Sequence, residues 1–575
     1  MALVVASIDF GTTFSGWAYS FVHDHYNNPA DVKSRNWNSG TFITCKAPTC
    51  VLIKADRKTV EAFGYDAETK YAELAAEENH KDVYFFQTFK MKLFNNEKTI
   101  GKSTLLEDET GKKLKALTVF SLTIKYLMDD LMENLNKQVQ NGVDKNYINW
   151  VLTVPAIWDE HAKQFMRTAA REAGIEVGHL NLALEPEAAS IYCRHIKMSR
   201  NEDSSNADIS TFQPGTRYLV CDAGGGTVDI TVHEVTPDMK LKEIEKASGG
   251  AWGGTMVNEA YKKFIDTLAG GAVMKVLKEN HMDDFIELLR SFEIKKRECK
   301  PSASGSVVLR FPTTLNEVVN VVTRKSFQEQ IERSPFKNQV QLIKDKLKCD
   351  ASVVSSLFDG PVKSIVDHLT TLVSKFHDNP INHIVMVGGF SESPLLQEAV
   401  KSAFPGKHLT IPQDAGLAVM KGAVMFGHNK RQIESRIARF TYGIAAFKKF
   451  DPVIHPADKV ICAGTNQGQV DNCFYKFVEI GQSVPTDGST TAGRSFRKEA
   501  QTAVVFVYAT KEKNPVFIHD PGSFQIGSFG VNCKDKHGSI SDFSLKMYFG
   551  GTEIIIKAEL KTTGEEITAT FDLPD

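Results

Sequence analysis

One short pattern occurs twice, over residues 4–19 and 218–233, and few folds accommodate such a repeat. In each copy an apolar run ends in an aspartate, Asp9 or Asp222. A glycine-threonine turn follows, Gly11 to Thr13 or Gly224 to Thr227, and apolar and small residues then alternate again. The alternation reads as strand, tight turn, strand. Glycine lets the backbone reverse at positive φ and leaves amide N–H groups unshielded, so each turn can form an anion-binding concavity. Threonine hydroxyls add donors. An aspartate at the strand end suits a hydrated Mg2+, which takes one or two carboxylates plus phosphate oxygens and keeps several waters. Two such hairpins face to face would grip a polyphosphate from both sides.

At 575 residues with 42% hydrophobic content the chain is long enough for two to four domains with real cores. With 68 basic against 70 acidic residues and a formal net charge of −2, composition argues against nucleic acid or an anionic membrane as the main partner. No run reaches transmembrane length. The opening stretch before Ile8 lacks a basic start and runs straight into the first hairpin strand, so it does not read as a signal peptide. The nine cysteines are scattered without a Cys-x-x-Cys pair. Cys45 and Cys50 read as two ordinary thiols, because the second ligand pair of a zinc site is missing. A reducing, cytoplasmic setting is expected; the oligomeric state stays open.

Strand-like runs alternate with helical patterns to about residue 430, the pattern of an α/β protein. Residues 149–155 read as a buried strand, Asp159 as the N-cap of a helix over 160–173, and Gly174 as its C-terminal stop. The polar stretch 199–215 reads as an exposed loop. A first lobe is expected over 1–216 and a second over 217–411, with a helix near 414–427 returning to the first. From about 440 helical periodicity vanishes, and short strand candidates at 472–479, 503–509, 543–549, 553–559 and 565–571 suggest a β-sandwich.

Other segments extend the pocket. A buried strand runs into Gly388 and Gly389, where flat backbone would let a purine or ribose approach, and Ser391 or Ser393 could cap the helix that follows. Glu293, Lys296 and Arg297 share a helix face by i, i+3, i+4 spacing, a pattern that read alone is a solvated face. Glu185, before Pro186 and a small-residue helix, could hold a metal-bound or attacking water. Lys90 and Lys92 lie among aromatics; either could aim an ammonium at a γ-phosphate or simply snorkel at the surface.

Taken in order, these segments resemble the superfamily of actin, sugar kinases and heat-shock protein 70 ATPases. Asp9-x-Gly11-Thr12-Thr13 resembles its first phosphate motif, Asp222-x-Gly224-Gly225-Gly226-Thr227-x-Asp229 its second, and Val387-Gly388-Gly389 its adenosine motif. Residues 153–158 and 418–424 resemble the two connecting segments, and Glu185-Pro-Glu-Ala-Ala the family's Glu-Pro-Thr-Ala-Ala. The blocks around 45–53, 61–67 and 89–93 look like the divergent heat shock 70 kDa protein 12 subfamily, types 12A and 12B. The resemblance implies a two-lobed actin-like ATPase domain, a duplicated ribonuclease H-like fold, followed by a sandwich that binds protein clients or partners without a helical lid. It implies ATP/ADP and Mg2+ as ligands. Asp9, Glu185 and Asp222 would order the hydrated metal, while Gly11, Thr12, Thr13, Phe14, Gly224, Gly225, Gly226 and Thr227 would hold phosphates. Lys90 (or Lys92) and Asp229 would position the attacking water, and Gly253, Gly254, Glu293, Lys296, Arg297, Gly388, Gly389 and Phe390 would hold the nucleoside. An atypical chaperone with slow ATP hydrolysis is the expectation; a nucleotide-responsive scaffold with little hydrolysis is the alternative, and a small-molecule kinase of the same superfamily is a third.

The chain also departs from that family. Glu392 stands where the typical chaperone carries an adenine-stacking arginine, and the acidic pair expected around 253–258 is absent. Asp414 is offset from the acid of the second connecting segment, and the linker over 428–441 is basic instead of acidic and leucine-rich.

Overall fold

The computed structural model describes residues 2–39, 43–94, 100–140, 142–195, 212–301, 305–461, 467–486, 491–496, 502–534 and 541–569. The loop expected over 199–215 therefore lies almost wholly outside the described residues.

Each of the two repeated patterns forms the hairpin predicted for it, and each hairpin centres its own sheet. In the first, Leu180–Leu184, Ile148–Val154 and Val4–Asp9 run parallel, and Phe14–Phe21 and Lys33–Ser34 continue antiparallel. In the second, His408–Thr410, His383–Val387 and Arg217–Ala223 run parallel, and Val228–Val235 and Leu241–Gly250 continue antiparallel. Strand order and sense thus repeat, as an actin-like ATPase fold requires. All six residues of Val4–Asp9 are buried, the mark of a strand covered on both faces.

Helices fill the space around and between the sheets. Glu160–Glu172 begins where Asp159 accepts a hydrogen bond from the Ala162 amide at 2.9 Å, and it stops at Gly174 with φ of +102°. Glu185–His195 and Ala418–His428 cross between the sheets, in a core that includes Val5, Ala188, Ala189, Val220, Ala418 and Ala423. The crossing is tight enough that a Cβ on Gly422 would stand 1.7 Å from the Ala188 carbonyl oxygen. The small residues of both helices are there because backbone meets backbone. The helix expected from 414 starts later, after a 3-10 turn over Ala415–Leu417.

Beyond residue 440 the regular structure among the described residues is β-strand, apart from a 3-10 turn over Ala457–Lys459. One antiparallel sheet joins Gln469–Val478, Thr441–Lys449, Thr502–Thr510 and Phe524–Asn532; another joins Thr491–Phe496, Phe543–Tyr548, Ile555–Leu560 and Glu566–Ala569. Alternate residues such as Val505 and Val507 from one sheet, and Leu545, Met547 and Ala558 from the other, meet in a shared core. The segment read as a linker carries regular structure: Ile433–Ile437 pairs in parallel with Leu241–Gly250, and Ser483–Pro485 pairs with it on the far side. It therefore extends the second sheet. No helix among the described residues is long and apolar enough to cross a membrane.

Candidate functional site

The tips of the two hairpins meet. A Cβ on Gly225 would lie 1.8 Å from Thr13 Oγ1, and one on Gly226 would lie 2.5 Å from Thr12 Cγ2 and from Met91 Sδ. The turns do not use glycine as the sequence suggests, since Gly11, Gly224, Gly225 and Gly226 all lie outside the left-handed region. At Gly225 and Gly226 a side chain would instead block the approach of the opposite hairpin, and at Gly11 it would strike the Phe14 carbonyl oxygen at 2.1 Å. The residue that does need positive φ is Gly388, at +85°, where a Cβ would also collide with Asp222 Oδ1 at 2.4 Å. Gly389 faces open space, with nothing within 4 Å of an added Cβ.

Around the tips lies a cavity of about 540 Å3, within the size range of small-molecule sites. Asp9, Asp222 and Glu185 all line it. Lys90 is 2% exposed and donates to Glu185 Oε1 at 2.8 Å, with its Nζ 5.0 Å from the centre of the Trp158 ring. Lys92 is exposed. Of the two lysines among the aromatics, Lys90 alone reaches the acids. Asp229 lies beneath the lining, directly opposite Asp222 across the hairpin, and accepts a hydrogen bond from the Ile157 amide at 2.9 Å.

Crowded carboxylates raise one another's proton affinity. Burial lifts the Asp222 carboxyl well above its ordinary range, and repulsion from Glu185, Asp229 and Asp9 adds to it. Burial likewise pushes Glu185 up to about 7 against the opposing pull of Lys90, and burial raises Asp229 despite its Ile157 hydrogen bond. The Asp222 carboxylate faces the cavity and accepts no hydrogen bond from another described residue. That donor set fits a hydrated divalent cation. No group of three acidic, histidine or cysteine side chains among the described residues is placed to hold a metal ion; a hydrated Mg2+ takes only one or two carboxylates.

At the far end of the cavity Lys296, nearly buried, donates to Glu293 Oε2 at 2.6 Å, Asn258 Oδ1 at 2.9 Å and the Gly254 carbonyl at 3.3 Å. The face that resembled a solvated surface thus forms a wall, and the Arg297 guanidinium stands 4.9 Å from the Phe14 ring centre. Phe390 stacks toward Phe358 across the same space. Glu392 accepts the Gly416 amide at 3.1 Å, which pins the turn before the return helix. Asp414 is tied to Tyr192 and Lys421, both at 2.6 Å. Ser393 sits at the N-cap of Pro394–Ala403 without a capping bond, and Ser391 donates to the Val387 carbonyl at 2.6 Å. Gly253 is outside the lining, its amide donating to the Gly226 carbonyl at 3.1 Å.

Sequence reasoning missed Lys46, whose Nζ lies 2.6 Å from Asp9 Oδ2. It sits in the Cys45–Cys50 stretch, where attention to paired thiols hid the cation between them; both cysteines are free. Also unforeseen are the partners of the basic segment. Arg436 is buried and holds Glu187 with two hydrogen bonds, at 2.6 and 2.7 Å, while also donating to the Gly550 carbonyl. Arg439 donates to the carbonyls of Ala156 and Trp158, which flank the Ile157 amide bound to Asp229. Arg167 pairs with Glu553 of the β-region.

A model of the Hsp70 protein family matches residues 79–432. Over 99% of its length the chain is 31% identical to heat shock 70 kDa protein 12A of Mus musculus, covering 91% of that protein, and heat shock 70 kDa protein 12B of Homo sapiens gives the same figures. A stromal 70 kDa heat shock-related protein from the chloroplast of Pisum sativum is 26% identical over 55% of this chain and 38% of its own.

Proposed function

Since the chain belongs to the Hsp70 protein family, as a divergent member, we propose that it is an atypical chaperone that binds Mg-ATP between its two lobes and hydrolyses it slowly. The observation that carries this reading is the meeting of the two hairpin tips over a buried Asp222 beside the Lys90–Glu185 pair. Amides and hydroxyls of Thr12, Thr13 and Thr227 hold the phosphates, with Gly11, Gly224, Gly225 and Gly226 giving close backbone approach. Asp222 and Glu185, with Asp9, would hold a hydrated cation. Mg2+ bound there supplies neutralisation of phosphate charge. Lys90, fixed by Glu185 and Trp158, orients an attacking water, and Asp229 keeps the Ile157 backbone in register below it. Glu293, Lys296, Arg297 and Phe390 take the nucleoside, with the Phe390 ring in the role an arginine has in typical chaperones.

Single-turnover hydrolysis of Mg-ATP by the purified chain tests the reading, with Asp222→Ala in parallel and binding followed in the same samples. Hydrolysis that is lost in the variant is expected; an unchanged rate removes Asp222 from the mechanism.

A second reading, a nucleotide-responsive scaffold with little catalysis, draws support from the basic segment. Arg436 connects the β-region to the helix carrying Glu187, and Arg439 holds the turn whose Ile157 amide binds Asp229, so nucleotide at the acids would be felt by whatever protein partner the β-region holds. Limited proteolysis within 429–440 should then differ with and without ATP even where no hydrolysis occurs. Equal cleavage argues against coupling.

A further inference from the structure

Lys46 enters the cleft from outside both phosphate hairpins. The strand that follows it, Ala47–Pro48, pairs with Phe14–Ser15 at the start of the first hairpin's return strand. Gly16 leaves room for it there, since a Cβ on that glycine would stand 3.2 Å from Lys46 Cγ. The side chain is 18% exposed and lines the cavity together with Thr12, Thr13 and Gly225. Its Nζ is 2.6 Å from Asp9 Oδ2, and Thr153 Oγ1 donates to Asp9 Oδ1 at 2.9 Å. Both oxygens of the first hairpin's acid are therefore engaged by the chain itself. Among the described residues none donates to those of its counterpart, Asp222. An ammonium is a compact charge with three donors, and Asp9 takes one of them.

The geometry points to Lys46 as a resident cation of the cleft: it neutralises Asp9 and donates directly to the polyphosphate, so that nucleotide binding persists when divalent ions are removed. The inference rests on the reading of the cleft as a nucleotide site and adds a residue that supplies part of the charge otherwise brought by the metal. Lys90 has a different place in the cleft, its ammonium donating to Glu185 and lying over Trp158, where it faces the attacking water.

The test is equilibrium binding of ATP to the full chain in Mg2+ and in EDTA, for the natural protein, Lys46→Met and Lys46→Arg. A charged hydrogen bond to phosphate is worth about tenfold or more in affinity. Chelation should cost the natural protein less than about tenfold, and Lys46→Met at least about tenfold more, with Lys46→Arg close to the natural ratio. Equal Mg2+-to-EDTA ratios in the natural protein and Lys46→Met overturn the inference while leaving nucleotide binding standing. Absence of ATP binding by the natural protein in both buffers overturns the nucleotide reading and this inference with it. Should Lys46→Met fail to fold, inorganic tripolyphosphate in EDTA serves as the probe on the natural protein. A rise in its melting temperature that Lys46→Arg preserves is expected, and no rise overturns the inference.

Discussion

The two hairpins share strand order, a strand-end aspartate and a glycine-threonine turn, yet their acids live in opposite surroundings. Asp9 is held by Lys46 and Thr153. Asp222 faces Asp229 across its own hairpin and Glu185 across the cleft, and no described residue donates to its carboxylate. Repeating a backbone motif repeats its shape; the electrostatics come from what each copy packs against. One copy arrives neutralised by a lysine; in the other, burial and the neighbouring carboxylates favour the protonated acid, a crowding that a bound cation would relieve.

That contrast can be broken most directly by exchanging each acid for its amide. Asp222→Asn should reduce single-turnover hydrolysis by about 10²–10³, the scale of losing one preorganised electrostatic group, and should erase the response of nucleotide binding to Mg2+. Asp9→Asn should keep that response. A larger loss of Mg2+ response in Asp9→Asn would reverse the assignment.

The close contact of the tips gives a second test. Gly225→Ala forces a Cβ into Thr13 and should destabilise the chain by about 1–3 kcal/mol in urea unfolding. Gly389→Ala, with open space around it, should stay within about 0.5 kcal/mol while still weakening nucleotide binding. Equal stability losses would mean that the tips part easily.

The smallest effect is in the pH dependence. The Asp222 carboxyl is held above its unfolded value of about 3.9. As pH rises past that value the unfolded chain loses its proton first, the native state binds the extra proton, and stability falls. Asp222→Asn removes this penalty. Its melting temperature should exceed that of the natural protein at pH 7–8, with the gain shrinking toward pH 4. A constant difference across that range would show that Asp222 does not titrate with folding.

Much of the local architecture was legible. Apolar runs ending in Asp9 and Asp222 are strands, and Asp159 and Gly174 bound their helix. Each of these rests on backbone conformation or on a pattern within a few residues. The glycines of the turns were legible in position and misjudged in cause, because contact between distant hairpins, and not local φ, demands them. The strand within 433–437 was read as part of a linker from its place in the resembling family, whereas it pairs with Leu241–Gly250, and Arg436 and Arg439 find their partners in Glu187 and the carbonyls of 156 and 158.

By itself the sequence determined the duplicated hairpins and their acids, because those follow from short-range spacing of glycine, aspartate and apolar residues, and its likeness to known proteins gave the family. Only the tertiary structure decided which lysine meets which carboxylate. Lys46 reaches Asp9 across 37 positions and Lys90 reaches Glu185 across 95. Charge pairing depends on distance in space, and the order of residues along the chain leaves that distance unspecified until the sheets have packed.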